Sequence, residues 1–554
     1  MVRDKKAAEQ LALSHFKLFV KYHTGDGVPK DTAKALEYLQ KAANLGLAIA
    51  QLSIGGLYRQ GDIFPKNPTK AAVWFQKAAE QGLADAQYGL GLLYHHGEGV
   101  PINMTKAASW FQKAANQGHP GAQYNLGVLY LAGKGVPKNM AKAAKLFQKA
   151  AEKGNAPAQY NMGVLYHIDE YVPKNLVKAA KWYQLAAEQG DPDAQFSLAF
   201  LYLKGEGVPK NSAKAAKWFQ KAAEQGDPVA QFNLALHFKD GDGVPKNTAK
   251  AVEWSQKAAD QNHAGARCVL GLLYQKGDGV PQDKAKALEL FQTAADQGFP
   301  EAQYKLAHHY LKGEVVPKDL AKAAKLFQKA ADQGLEVAQY NLAHLYKDGE
   351  GVPKDQRKAA ELFQLSANQG NADAQYNLAL LYSYGDGVPK DMAKTVELLQ
   401  KAADQELMEA QNNLGLLYQR GDNVPEDKAK AGELFQKAAD QGSADAQYNL
   451  ALLYHHGDGV PKDMTKAVEF LQKAADQGLE EAQYNLGLLY QRGDGVPEDK
   501  AKAVELFQKA ADQGYVVAQR DLGLLYQNGE GVPKDLAKTT ELFQQAAKKE
   551  NADA

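Results

Sequence analysis

The chain has 554 residues, 45% of them apolar, and its 65 Lys and Arg are balanced by 65 Asp and Glu. Zero net charge leaves no basic excess of the kind a nucleic-acid footprint needs, and the single cysteine, Cys268, excludes an intramolecular disulfide and implies a reducing, cytoplasmic compartment. No long apolar run follows Met1 to Lys6 or occurs further on, so neither a secretory signal nor a transmembrane segment is expected.

From Pro29 onward a proline recurs every 36 residues, at Pro65, Pro101, Pro137 and so on to Pro497 and Pro533, fifteen in all with no slip of register. A fixed period of this length means stacked supersecondary units. The fourteenth unit, residues 482–517, shows the pattern most clearly. Counting Ala482 as position 1, Ala482, Leu486, Leu489, Tyr490 and Gly493 share one face of a 3.6-residue period, and predict a first helix with its core at positions 1, 5, 8, 9 and 12. Gly487 leaves room for the close approach of a neighbouring helix. Gly493-Asp494-Gly495-Val496-Pro497 ends the helix, because glycine reaches left-handed angles and proline cannot continue the ladder. Two residues past every proline stands Asp or Asn, the expected N-cap of a second helix. That helix carries Ala501, Ala503, Leu506, Phe507, Ala510 and Ala511 and stops at Gly514. Gly holds the stop position in twelve units; Asn262 is compatible with its geometry, Glu406 and Glu550 less so.

Residues 1–13 end in Lys5-Lys6-Ala7-Ala8-Glu9-Gln10-Leu11, which matches the close of a second helix without its glycine. They read as a degenerate N-terminal cap, and Lys5 to Tyr22 should run as one helix because nothing interrupts it. The fifteen repeats then occupy 14–553, as 14–49, 50–85 and onward to 518–553, in a single solenoid domain. The first is atypical, with Lys21 where others have a core Leu, and a polar open side is expected there. In the fifth, His167 to Pro173 lacks both loop glycines; loop drift accounts for this better than a contact patch around Tyr171. The chain ends on Lys548-Lys549-Glu550 and four further residues, with no capping helix, so end-to-end stacking on another molecule is one expectation.

The Ala-Gln-Tyr-Asn-Leu-Gly-x-Leu-Tyr opening, the Gly-x-Gly-Val-Pro loop and the Lys-Ala-Ala-x-Gln-Gly close resemble the Sel-1-like repeat, a relative of the tetratricopeptide repeat with a longer interhelical loop. The resemblance covers residues 14–553. It implies an all-α fold, an α-solenoid wound as a right-handed superhelix, acting as a non-enzymatic adaptor for protein or peptide ligands. Secreted relatives that staple each repeat with a cysteine pair have no counterpart here.

The chemistry of an enzyme is not visible. The adjacent pairs His95-His96, His308-His309 and His455-His456 diverge by about 100° on a helix and do not converge on one ion. The Gly-Asp-Gly loops lack the spaced carboxylates of a calcium site, and no phosphate loop occurs. Cys268 has no identifiable His partner and reads as a small, exposed or half-buried substitute for an aromatic. No cofactor or metal is expected. What remains is the surface at positions 3, 7 and 10 of the first helix, which resemblance to tetratricopeptide proteins places on the concave side. Position 3 carries Tyr88, Tyr124, Tyr160, Phe196, Phe232, Tyr304, Tyr340, Tyr376, Tyr448 and Tyr484. These rings either form a ligand groove or pack between repeats, and the Asn residues at position 4 either clamp a peptide or bond between repeats. Partial burial with the hydroxyl reaching solvent is expected. Arg59, His96, Arg420 and Arg492, at positions 10 and 11, are the fallback surface. The alternatives to an adaptor are a catalytic, cell-wall or small-ligand role in a variant repeat, and a structural spacer or self-assembling rod.

Overall fold

The computed structural model describes residues 2–61, 63–169 and 172–550. Within them the chain forms thirty helices and no strand, from α1 (Val2–Thr24) and α2 (Thr32–Asn44) to α29 (Val516–Asn528) and α30 (Leu536–Glu550). Odd-numbered helices are the first helices of repeats and even-numbered ones the second, so the fold is an all-α solenoid of 36-residue helix pairs. Within Met1–Asp283 and within Lys284–Ala554, helices next to one another in sequence pack together. The chain divides into two compact units, Met1–Asp283 and Lys284–Ala554.

Local chemistry sets every boundary. Asp31 accepts a hydrogen bond from the Lys34 amide at 3.0 Å, and the equivalent bond recurs as far as Asp535 and the Lys538 amide at 2.9 Å. The N–H of the cap residue also bonds back to the carbonyl of the position-9 Tyr, as from Asn103 to Tyr94 at 2.9 Å, which closes the interhelical loop. At the other end Gly514 takes φ +89°, and the amides of Gly514 and Tyr515 bond to the carbonyls of Ala511 and Ala510. Glu406 adopts the same left-handed conformation, at φ +67°, although its side chain disfavours it. In the fifth repeat the helix Ala156–His167 ends one residue early on Ile168 in extended conformation. Tyr171 lies outside the described residues.

α1 is one unbroken helix through Leu11 to Ser14. Its open side is not uniformly polar. Lys21 is exposed, but so are Leu11, Leu13 and Val20, which no described helix covers.

The core of most repeats is a second-helix aromatic held in alanine; Leu39, Ser255, Leu399 and Leu471 take its place in the other four. Phe111, Phe219, Phe363 and Phe507 are fully buried among Ala residues of their own helix and Leu residues of the first helices on either side. The first-helix face is wider than an amphipathic stripe predicts. Positions 1, 5 and 8 are buried, but so are positions 2 and 6, while Tyr at position 9 is only half-buried. The reason is that a first helix packs on two second helices, its own and the preceding one. Position 6 packs tightly on the second-helix ring: a Cβ on Gly487 would lie 2.7 Å from Phe507 Cε1.

Candidate functional site

All ten position-3 rings are half-buried, on the same face of successive first helices. Each inner edge leans on the core. Ring centroids of Tyr88 and Phe111, Tyr124 and Phe147, and Tyr340 and Phe363 are all 5.9 Å apart. Tyr160 and Tyr183, Phe196 and Phe219, and Tyr304 and Phe327 are 5.8 Å apart, and Tyr484 and Phe507 5.4 Å. Phe232 stacks on His263, and Tyr376 and Tyr448 pack against the cores of their repeats.

The outer edge of the eight Tyr rings is polar, and much of it is tied to the next repeat. Asn125 Nδ2 donates to Tyr88 Oη at 3.3 Å, Asn413 to Tyr376 at 3.2 Å, and Asn485 to Tyr448 at 3.1 Å. Where Asn412 replaces the ring, Asn449 donates to its Oδ1 at 3.0 Å. The Tyr484 hydroxyl donates to Asp521 Oδ2 at 2.8 Å. Other position-4 residues, Asn161, Asn233, Asn341 and Asn377, bond to carbonyls of their own helix. Burial raises the pKa of the Tyr340, Tyr376 and Tyr448 phenols, and nearby carboxylates add to it.

Cys268 is buried, against the expectation of an exposed or half-buried thiol. Its side chain is short and ends below the level at which the neighbouring rings meet solvent. Arg59 is engaged with Glu98 at 3.0 Å. Among the described residues no group of three or more His, Cys, Asp or Glu is placed to hold a metal ion, and no helix is long and apolar enough to cross a membrane. His119 and His263 cap helices: their Nδ1 atoms accept from the Ala122 and Ala266 amides at 3.1 Å, and burial lowers both pKa values, opposed in His119 by Asp85 and in His263 by Asp227.

Three recurrent devices and one single residue escaped the reading of the sequence. The first is the Gln at position 2, buried throughout. Gln447 Nε2 donates to the Ala439 carbonyl of the preceding second helix at 3.3 Å, and its Oε1 accepts from Gln477, at the end of its own second helix, at 2.8 Å. The same pair of bonds is made around Gln51, Gln231 and Gln339. The second is the later loop glycine. A Cβ on Gly459 would run into the Lys428 carbonyl of the preceding repeat, so this glycine is a docking point as well as a turn. The third is a Lys over the position-9 ring, such as Lys502 over Tyr490, 4.3 Å from its centroid, and Lys142 over Tyr130 at 5.3 Å. The last is Tyr384, 74% exposed on the same first helix as Tyr376. Only the first three left a signal in the sequence: they recur at constant positions of the unit.

The Sel1 repeat model matches fifteen successive segments, from residues 12–47 and 48–83 to 480–515 and 516–551. The chain belongs to the Sel1 repeat family. A protective antigen of uropathogenic Escherichia coli strains with the same repeat fold is 33% identical, with a TM-score of 0.54, covering 87% of this chain and 95% of that one. A Sel1 repeat protein of Oxalobacter formigenes is 34% identical over 44% of this chain and 96% of its own, with a TM-score of 0.40. Comparison with curated proteins finds no match. Sel1 repeats and the related tetratricopeptide repeats commonly mediate protein–protein interaction, and Sel1 proteins are generally non-catalytic.

Proposed function

We propose that this Sel1 chain is a non-enzymatic scaffold that binds protein or peptide ligands along the first-helix face. One observation carries the reading. Aromatic rings recur on that face at constant register, eight Tyr and two Phe, each leaning on the core on its inner edge and half-exposed on its outer edge. A half-buried ring is pre-organised, so a ligand that covers its outer edge orders little that is not already ordered. Tyr384 adds an exposed aromatic beside the row.

The test uses two assays on one set of variants. Ligands are captured from a displayed peptide library, and the variants Tyr340→Ala, Tyr376→Ala, Tyr448→Ala and Tyr484→Ala are then measured for binding and for melting. A half-buried ring should cost about 2 kcal/mol of stability on truncation, less than the roughly 3–5 kcal/mol of a fully buried one. A ligand-binding ring should in addition cost about 2 kcal/mol of affinity in the folded protein. If binding by the folded fraction is unchanged in all four variants, the rings serve the core alone and the reading fails.

A further inference from the structure

The zero net charge of the chain is not shared evenly. Residues 1–283 hold 34 Lys and Arg against 24 Asp and Glu, and residues 284–554 hold 31 against 41. The two units therefore carry opposite net charges of ten. In the second unit part of the acidic excess lies beside the aromatic row. Asp373, Glu409, Asp445 and Glu481 occupy the same position in four consecutive repeats, each in the first turn of a first helix. Three of them act electrostatically on the ring of the preceding repeat: Asp373 on Tyr340, Glu409 on Tyr376, and Glu481 on Tyr448. Asp445 also reaches Tyr376. None of the four carboxylates has an ion-pair partner among the described residues, whereas elsewhere Glu98, Glu397, Glu469 and Glu505 are all paired.

The first unit is built differently on this face. The same position holds Ile49, Gly121, Pro157, Val229 and Gly265; of its two carboxylates Asp85 lies 3.3 Å from His119, and Asp193, beside Tyr160, stands alone with no acid in the repeats on either side. A carboxylate in the first turn favours any helix through its dipole. That accounts for one acid at a time. It does not account for four in succession on a face with half-open aromatic rings, in the unit with the negative balance.

We infer that the first-helix face of residues 340–484 takes a basic, extended polypeptide segment, whose Lys or Arg side chains meet Asp373, Glu409, Asp445 and Glu481 while their stems lie over the tyrosine rings. This rests on the binding reading above and specifies its partner. An unpaired carboxylate next to the open edge of an aromatic ring suits a guanidinium, which forms a charge-assisted hydrogen bond and stacks at once. The spacing of the segment follows from geometry. Side chains of successive first helices touch, as Asn485 and Tyr448 do at 3.1 Å, so these helices lie about one helix diameter, roughly 10 Å, apart; an extended chain advances about 3.3 Å per residue, so one residue in three meets a new repeat.

The test uses the full chain and three synthetic fifteen-residue peptides: one with Arg at every third position, one of the same composition with its Arg residues consecutive, and one with Glu in place of Arg. Binding is followed by fluorescence anisotropy at about 50 and about 500 mM salt. The spaced Arg peptide should bind at least tenfold more tightly than the other two at low salt and lose most of that advantage at high salt. The quadruple variant Asp373→Asn, Glu409→Gln, Asp445→Asn, Glu481→Gln should lose it at low salt, with its circular dichroism spectrum unchanged. Asp85→Asn, in the first unit, should leave the affinity as it was. Equal binding of the Glu peptide, no saturable binding of the spaced Arg peptide, or full affinity in the quadruple variant each overturns the inference. If the quadruple variant keeps its affinity while Tyr376→Ala and Tyr448→Ala lose it, the basic partner is wrong and the aromatic groove stands. If consecutive and spaced Arg peptides bind alike, the extended register is wrong.

Discussion

The buried Gln at position 2 shows how much one residue settles. Its amide answers two groups 38 residues apart in sequence, a carbonyl of one second helix and the Gln amide closing the next. Gln123 and Gln519 lack the second partner. Their Oε1 atoms are buried without one, because Lys153 and Lys549 stand where other repeats have Gln and donate instead to the carbonyls of Gly118 and Gly514. Gln117 and Gln225 show that one Gln serves both acceptors. Lys153→Gln should therefore raise stability by about 1 kcal/mol, read as a shift in denaturant midpoint at constant slope. The histidine caps give a second prediction. Burial lowers the pKa of His119 and His263 in the folded chain, so folding favours the neutral imidazole. That stability is complete above the unfolded value of about 6.5 and is lost as pH falls through the folded value. The melting temperature should fall between about pH 7 and pH 5, and the double variant His119→Asn, His263→Asn should blunt the fall, since Asn155 and Asn371 cap equivalent helices without titrating.

At the scale of the helix pair, two glycines of one unit have opposite tolerance. Gly459 sits at φ +70°, and a Cβ added there would run into the Lys428 backbone, which cannot move away. Gly459→Ala should cost about 2–3 kcal/mol, one part from the left-handed angle and one from the contact. Gly487 is helical and faces the edge of the Phe507 ring. Ala343 already occupies that position against Phe363, with both fully buried, so Gly487→Ala should change stability by no more than about 1 kcal/mol. Thermal melts of the two variants give the comparison directly. The same contrast explains what could be read beforehand. Helices, caps and stops follow from neighbours within one turn, such as Asp499 and Lys502 or Ala511 and Gly514, and these were legible. Gln447 with Gln477, Gly459 with Lys428 and Lys502 with Tyr490 join residues 30, 31 and 12 apart, and periodicity says that they recur but not what they touch. For the aromatic row the sequence placed Tyr340 and Tyr448 on a face. Their depth of burial and the Asn485 bond depend on the next repeat and needed the structure.

For the whole molecule the repeated joint makes length a free variable. In a linear array stability is a sum of repeat and nearest-neighbour terms. Deleting residues 374–409, one unit in register, should leave a cooperatively folded protein with correspondingly less helix. Deleting residues 374–391, half a unit, places second helix against second helix and should abolish the cooperative melt; equal melting of the two deletions would contradict the scheme. The Gln bridges also set how the molecule answers a pulling force. Joints that are chemically alike yield at similar loads, so stretching should produce a train of near-equal steps, each releasing one 36-residue unit, rather than a single rupture. The repeats of Gln123 and Gln519, with half of the bridge missing, and those of His15 and Arg267, which have no Gln at position 2, are the flaws in that chain. They should give way before the others, so the order in which the molecule comes apart is already written in a few substitutions.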